Sequence, residues 1–332
     1  MAPPSRYGDR GSPTPEWSDR RLGREPRVLT LTMSPALDDS FTVPRLTPVT
    51  KMRCSTPRFD PGGGGINVAR ILNVLGVPSL AVFPLAGFLG QALRHLLDLE
   101  GVHSVGVPVH GETRQAHQVV DQETGLEYRF VLPGPTLSVV DQQRCLAAVI
   151  EQGARADYLV LSGSFPAGVS ADFVLDAEAV ARALGARLIL DTSGDALSCS
   201  RNAFLIKPSI RELEELVGHR LEHTEEQIQG ARTFLADSGS TAVVVSRGHQ
   251  GVILVTSETA EVLPAHATDV VNTVGAGDAL VAGIVAGLCR GWDLVRATRL
   301  GVACSATMTE TVGTALFTPS ELRRFTNEDL TR

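Results

Sequence analysis

The chain has 332 residues, 43% of them hydrophobic and 20% charged, with a net charge of -7. That is ordinary globular composition, with enough chain for one large α/β domain. An acidic balance argues against sequence-independent nucleic-acid binding, which needs a basic surface, yet it leaves room for an anionic small substrate held by a few local cations. The five cysteines (Cys54, Cys145, Cys199, Cys289 and Cys304) are odd in number, scattered and without CxxC spacing. They read as reduced thiols of a cytoplasmic protein. No apolar run approaches the roughly 20 residues that span a bilayer, and no apolar h-region opens the chain, so neither a membrane partner nor a secretory signal is expected.

Residues 1–26 hold five prolines, five arginines and almost no aliphatic side chains, a composition that cannot offset its ordering entropy, so a disordered tail is expected there. From Arg27 onward, short apolar runs alternate with longer helical stretches. Strands are expected at Val28–Leu31, Leu80–Phe83, Tyr158–Leu161, Leu188–Leu190, Phe204–Ile206, Val243–Val245 and Val252–Val255. Several are apolar throughout, as strands buried on both faces should be. Helices are expected at Ile66–Leu75, Gln91–Leu99, Gln142–Gly153, Ala171–Leu184, Arg211–Val217 and Thr224–Asp237, with Gly76 where the first should stop. The alternation predicts a doubly wound, mainly parallel sheet with helices on both faces.

Two stretches, 40–60 and 110–132, lack helical pattern. In the second, Leu126, Tyr128, Phe130 and Leu132 alternate with Glu127, Arg129 and Val131, and a period of two packs one face only. Both stretches are read as strands of a small separate sheet, able to serve as a lid, a dimer contact or both. Exposed lid edges favour a homodimer.

Two glycine clusters carry the chemistry. Pro61-Gly62-Gly63-Gly64-Gly65-Ile66-Asn67 runs into the first helix. Four consecutive glycines suit a place where backbone approaches a ligand. The cluster is neither a Walker A loop nor GxGxxG. Asn272-Thr273-Val274-Gly275-Ala276-Gly277-Asp278 precedes the apolar stretch Ala279–Leu288. Here Gly-Ala-Gly opens a helix whose unpaired amides and dipole make an anion site. A carboxylate beside it can accept the proton of an attacking hydroxyl while the amides neutralise a transferring phosphoryl group.

On these two clusters the chain resembles the PfkB, ribokinase-like sugar kinases. Gly62–Gly76 matches the first signature of that family and Asn272–Leu288 the second, and the likeness runs from Arg27 to the C-terminus, as a kinase domain over 27–332. It is strongest to the bacterial type II 6-phosphofructokinases, through Leu31–Asp38, Lys51–Cys54, Tyr128–Gly134 and Ser162–Ser164. The resemblance implies a ribokinase-like core with a β-sheet lid, ATP and Mg²⁺ as cofactors, and a phosphosugar substrate, with fructose 6-phosphate first and tagatose 6-phosphate or fructose 1-phosphate as alternatives. It implies Asp278 as catalytic base and the amides around Gly275, Ala276 and Gly277 as anion hole. Asp38, Gly62, Gly63, Asn67 and Ser164 would hold the sugar. Lys51, Arg53, Arg114 and Arg129, in the lid segments, could reach its phosphate. Lys207, Ser209, Ser246, Gly248, Gly251 and Thr273 would line the nucleotide site.

The chain departs from the family twice. The NxxE motif that organises Mg²⁺ through water reads Ser209-Ile210-Arg211-Glu212, leaving Glu212 as the metal residue. The second signature, often opened by Asp, opens with Asn272, which bears on a monovalent-cation site that some members have. Asp191, at the end of a predicted strand, could face a ligand and is read as a cap to the following turn, and His95, His103, His219 and His266 are read as surface residues. A non-catalytic sugar- or nucleotide-binding protein is the alternative of another class. Retention of Asp278 argues against it.

Overall fold

The computed structural model describes residues 27–326, and the tail expected over 1–26 lies outside the described residues. In chain order the elements begin β1 (Val28–Leu31), β2 (Ala36–Val43), β3 (Arg58–Gly62), α1 (Gly64–Val74), β4 (Ser79–Leu85), α2 (Gly87–Leu99), β5 (Ser104–Pro108), β6 (Arg114–Asp121) and β7 (Glu127–Val131). They continue with α3 (Val139–Gln152), β8 (Tyr158–Ser162), α4 (Phe173–Leu184), β9 (Arg187–Asp191), α5 (Asp195–Cys199), β10 (Leu205–Ile206), α6 (Ile210–Val217), α7 (Thr224–Ser238) and β11 (Ala242–Ser246). After a short 3-10 turn at Gly248–Gln250 come β12 (Val252–Thr256), β13 (Ala260–Leu263), α8 (Ala276–Cys289), α9 (Leu294–Thr309) and α10 (Pro319–Leu322).

The main sheet has nine strands in the order β13-β12-β11-β10-β9-β8-β1-β4-β5. It is parallel except at one end, where β12 runs antiparallel to β11 and β13 antiparallel to β12. Helices cover both faces, which is why central strands such as Val28–Leu31 and Tyr158–Ser162 are buried at every position and mostly apolar. Val28, Val160 and Val244 point into a core shared with α1, α8 and α9. Their chain neighbours Leu29, Leu161 and Val245 point into a second core shared with α3, α4, α6 and α7. The strand alternation therefore feeds two hydrophobic layers.

Helix α8 is buried from Ala279 through Cys289, as a helix apolar on all sides must be. It lies against α9 with almost nothing between them. A Cβ on Gly283 would come 2.6 Å from the Gly301 Cα, and one on Gly287 2.7 Å from the Ala297 Cα, distances that real side chains do not tolerate.

A second sheet has the order β3-β2-β6-β7. Strand β2 pairs antiparallel with β3 and parallel with β6, and β6 pairs antiparallel with β7. The register places Asp60, Asp38, Ala116 and Val131 in one row across the four strands, and Phe59, Asp39, His117 and Phe130 in the next. Successive rows face opposite ways, so Asp38 and Phe59 belong to opposite faces.

All seven expected strands form, and so does every expected helix. The sequence reading omits β5 and β13, which are the two edges of the main sheet, α9, and the short helices α5 and α10. The stretch 40–60 does contribute to the small sheet, through the end of β2 (Ala36–Val43) and the start of β3 (Arg58–Gly62), but residues 44–57 between them form a strand-free loop. Among the described residues no helix is long and apolar enough to cross a membrane.

Candidate active site

In a parallel sheet the carboxyl ends of the strands converge on one edge, where ligands bind. Here β1 runs out into Thr32, β8 ends on Ser162, β9 on Asp191, and β10 runs into Lys207. Asp191 is at the centre. Its Oδ1 lies 3.0 Å from the Lys207 Nζ, and its Oδ2 accepts from the Ser162 hydroxyl at 3.2 Å. The expectation that Asp191 caps a turn is therefore wrong. It is the counter-ion of a buried lysine. Burial alone would lower the Lys207 ammonium, but Asp191, Glu212 and Asp278 together raise it, so the charge is kept.

The first turn of α8 meets this edge. Gly275 caps the helix at φ 77°, a left-handed conformation that favours glycine, and a Cβ there would lie 3.0 Å from the Met308 methyl. At Gly277 the nearest atom to a Cβ would be the Lys207 Nζ, at 3.7 Å. Of the opening amides, Ala276 N donates to the Thr273 carbonyl at 3.4 Å, while Gly277 and Asp278 have no carbonyl four residues back within the helix. Asp278 closes the turn, and its Oδ2 accepts from the Asn67 Nδ2 at 2.9 Å. Burial first, then repulsion from Asp191 and Asp38, pushes its carboxyl up to about 7 against the Asn67 hydrogen bond and the Lys207 charge. Thr273 lies in the loop just before this turn, where Val274 N donates to the Asn272 Oδ1 at 2.6 Å.

The glycine cluster after β3 makes room for the protein itself. A Cβ on Gly62 would overlap the Asp38 carboxylate, and one on Gly64 the Ser162 hydroxyl. On Gly63, which starts α1 at φ 113°, it would sit 2.8 Å from the Thr32 methyl, and on Gly65 2.6 Å from the Thr32 Oγ1. The glycines thus bring the start of α1 down onto the strand ends, with Asp38 and Asn67 on either side.

Asp38 stands where the small sheet meets the large one. Its Oδ1 is buried without a hydrogen-bond partner among the described residues, as are the Thr32 and Thr314 hydroxyls. Unpartnered buried oxygens are costly and mark a place for a ligand's donors. Burial pushes the Asp38 carboxyl up to about 6 despite Arg129, Arg114 and Arg70, and Asp60 adds to the rise. Asp38, Gln118, Arg129 and Thr314 line one small cavity beneath the lid. Arg114 leans across to the Ser34 carbonyl at 3.3 and 3.4 Å. Sequence reasoning misses Thr32 and Thr314, and places Asp191 at a strand end able to face a ligand without giving it a role there. A position at a strand end is the signal that could have found Thr32 as well.

The other expected residues lie on the loop 44–57, around the ends of β8, β10 and β11, and before α8. Lys51 and Arg53 are exposed on the loop 44–57 and make no hydrogen bond or ion pair among the described residues. Ser164 is exposed beyond the end of β8. Ser209 bridges to Ser246 across the ends of β10 and β11. Ser209 also caps α6 in a reciprocal box: its Oγ accepts from Glu212 N at 3.3 Å, while Glu212 Oε2 accepts from Ser209 N at 2.7 Å and from its hydroxyl at 2.8 Å. One Glu212 oxygen is therefore already engaged. Gly248 and Gly251 both have positive φ, and a Cβ on Gly251 would overlap the Leu263 carbonyl, so that glycine lets the turn lie against the end of β13. The Asn272 amide donates to the carbonyls of Thr311 and Gly313, tying the loop before α8 to the segment after α9. Among the described residues no group of three or more His, Cys, Asp or Glu side chains could hold a metal.

The chain is similar to known proteins over most of its length. The profile of the pfkB family carbohydrate kinases matches residues 34–321. Over 302 residues the chain is 44% identical to the ATP-dependent 6-phosphofructokinase isozyme 2 of Mycobacterium tuberculosis, covering 91% of this chain and 89% of that one. It is 36% identical over 305 residues to a 1-phosphofructokinase of Rhodobacter capsulatus, covering 89% of this chain and 94% of that one. The crystal structure of phosphofructokinase-2 from Escherichia coli in complex with potassium superposes with a TM-score of 0.85 at 35% identity, covering 90% of this chain and 97% of the other.

Proposed function

Because the chain belongs to the pfkB family of carbohydrate kinases and is a phosphotransferase with an alcohol acceptor, we propose that it carries the γ-phosphoryl group of ATP to the free primary hydroxyl of fructose 6-phosphate, giving fructose 1,6-bisphosphate. The observation that carries this reading is the Asp278 carboxyl, hydrogen-bonded to Asn67 in the first turn of α8 beside Lys207. The acceptor oxygen attacks the γ-phosphorus, its proton passes to Asp278, and the bond from the γ-phosphorus to the bridging oxygen breaks to release ADP. The amides of Ala276 and Gly277 and the Lys207 ammonium face the charge that develops on the phosphoryl oxygens. A base with a pKa near the working pH is both deprotonated often enough and basic enough to serve.

Asp38, with the unpartnered hydroxyls of Thr32 and Thr314, is suited to hold sugar hydroxyls, and Gly62, Gly63 and Asn67 line the approach. Arg114 and Arg129 are the cations beside Asp38 and would read the substrate phosphate. Lys51 and Arg53, on their exposed loop, are candidates for the same task. Ser209, Ser246, Gly248, Gly251 and Thr273 are assigned to the nucleotide side, at the ends of β10 and β11 and before α8. Magnesium, when bound, would neutralise charge on the ATP phosphates. The residues suit an ion held mostly by phosphate and water, since the carboxylates that act on Lys207 are few, Asp191, Glu212 and Asp278, and one Glu212 oxygen is engaged in its cap. A monovalent cation is a further candidate cofactor at the loop before α8, where the Thr311 and Gly313 carbonyls each take one hydrogen bond from the Asn272 amide and keep a second lone pair.

The lid face opposite Asp38 exposes Phe59 and Phe130 at 46% and 48%, which supports a homodimer joined through the lid. With reduced cysteines and no membrane-spanning helix among the described residues, the cytoplasm is its proposed compartment.

Coupled-assay turnover on fructose 6-phosphate, fructose 1-phosphate, tagatose 6-phosphate, fructose and ribose tests the reading. Fructose 6-phosphate should give the highest kcat/KM. Equal turnover of free fructose would overturn a phosphate-reading lid. Preference for fructose 1-phosphate would favour the second reading, which the 1-phosphofructokinase relative supports.

A further inference from the structure

We propose that Arg70 is a positioning residue that fixes which end of the Asn67 amide meets Asp278. The role rests on the reading of Asp278 as general base. Arg70 is fully buried within α1. Its Nη1 donates to Asn67 Oδ1 at 3.2 Å and to the carbonyls of Pro61 and Thr314 at 3.0 Å each. Its Nε and Nη2 form a two-pronged pair with Glu100 at 2.6 Å each, and Nη2 lies 3.6 Å from Asp60.

A guanidinium has donors and no acceptor, so the oxygen of Asn67 faces Arg70 and its NH₂ is turned toward Asp278. Reversed, the amide would set oxygen against carboxylate and leave the NH₂ against an arginine. The acceptors around Arg70 come from the end of β3, from α1, from the C-terminal cap of α2 and from the segment after α9. A buried arginine anchored at four points cannot turn to suit Asn67, so Asn67 must suit it.

The charged groups around the pair are limited. Asp191, Lys207 and Asp38 act on Asp278, while Asp60 and Glu100 face Arg70. Of these only Lys207 also favours the ionised form of Asp278, and it does so by charge while paired with Asp191, whereas the Asn67 NH₂ donates a hydrogen bond directly to Asp278 Oδ2.

Arg70→Lys keeps a positive charge for Glu100 and Asp60 but loses the fork. Its acid limb of kcat should move up by about one unit, lowering turnover about tenfold below pH 7, with KM for ATP unchanged. In an Asp278→Asn background the same change should cost no more than about twofold, because there is no base left to position. A cooperatively folded Arg70→Lys enzyme with an unmoved acid limb, or with the same loss in both backgrounds, overturns the proposal. Should Arg70→Lys fail to fold, Glu100→Gln carries the test. It loosens the guanidinium from outside the site and should move the limb in the same direction by less, and an unmoved limb again overturns the proposal. Near-wild-type turnover in Asp278→Asn alone would instead remove the base assignment itself.

Discussion

The two sides of the site are finished to different degrees. On the core side every charged group already has its partner: Asp278 with Asn67, Asn67 with Arg70, Arg70 with Glu100, and Lys207 with Asp191. On the lid side Asp38 keeps an unpartnered oxygen, Arg114 reaches only a carbonyl at long distance, and Lys51 and Arg53 stand in solvent. The chemical groups are set before substrate arrives, as preorganised catalysis requires. The recognition groups are left for the substrate to complete, and a free donor or acceptor there becomes affinity and selectivity.

The strongest way to break this contrast is at the base. Asp278→Asn keeps the shape and loses proton acceptance, so kcat should fall by roughly 10²–10⁴ with ATP affinity nearly unchanged, as read by steady-state kinetics and nucleotide titration. In the wild type, kcat should rise with pH through about 7, where Asp278 deprotonates. On the lid side, Arg114→Ala should raise KM for the phosphosugar by about 10- to 100-fold, the loss of one charge-assisted contact. It should leave kcat and the KM for ATP close to wild type, and a fall in kcat alone would erase the distinction between the two sides.

Smaller effects sharpen it. Asp278 and Asp38 both titrate above the ordinary aspartate value, near 7 and 6. Between about pH 4 and 7 the folded protein therefore holds protons that the unfolded chain has released, and its stability falls as pH rises through that window. Melting temperature should decline from pH 5 to 7, and less so in Asp278→Asn. Asp141 and Glu321, which hydrogen bonds hold below their usual values, act at lower pH and do not mask the trend. Smallest is the cap of α6. Ser209→Asn keeps a good capping residue and should melt like wild type, whereas Ser209→Ala should lose about 1 kcal/mol. A Mg²⁺ titration of Glu212→Gln then separates metal handling from capping, because glutamine can still complete the box. An unchanged Mg²⁺ requirement would remove Glu212 from the metal.

Much of this was legible in the residues. Continuous apolar runs such as Tyr158–Leu161 can only be strands covered on both sides, and glycine at 275 and 277 before an aspartate marked the start of α8. What escaped was of two kinds. Edge strands β5 and β13 carry polar or charged residues such as Ser104 and Glu261, because an edge is half in water and its pattern is weak. Arg70 looks in sequence like a solvated position on a helix, and Asp191 like a turn cap. Both are charged residues whose partners lie far along the chain, Arg70 with Glu100 and Asp191 with Lys207, and no local spacing announces a pairing of that kind.

The contact of α8 with α9 has a mechanical consequence for catalysis. Gly283 is five residues beyond Asp278, about 7.5 Å along the same helix at 1.5 Å per residue. At Gly283 bare backbone meets bare backbone, with no side chain to compress. The seam therefore works as a hard stop that calibrates where the base sits, from a place the substrate never touches. A single methyl inserted there, as in Gly283→Ala, would act as a shim, displacing the helix by a fraction of an ångström. Its signature would be a lower kcat with both KM values unmoved, since alignment between base and acceptor would be lost while every binding contact survived.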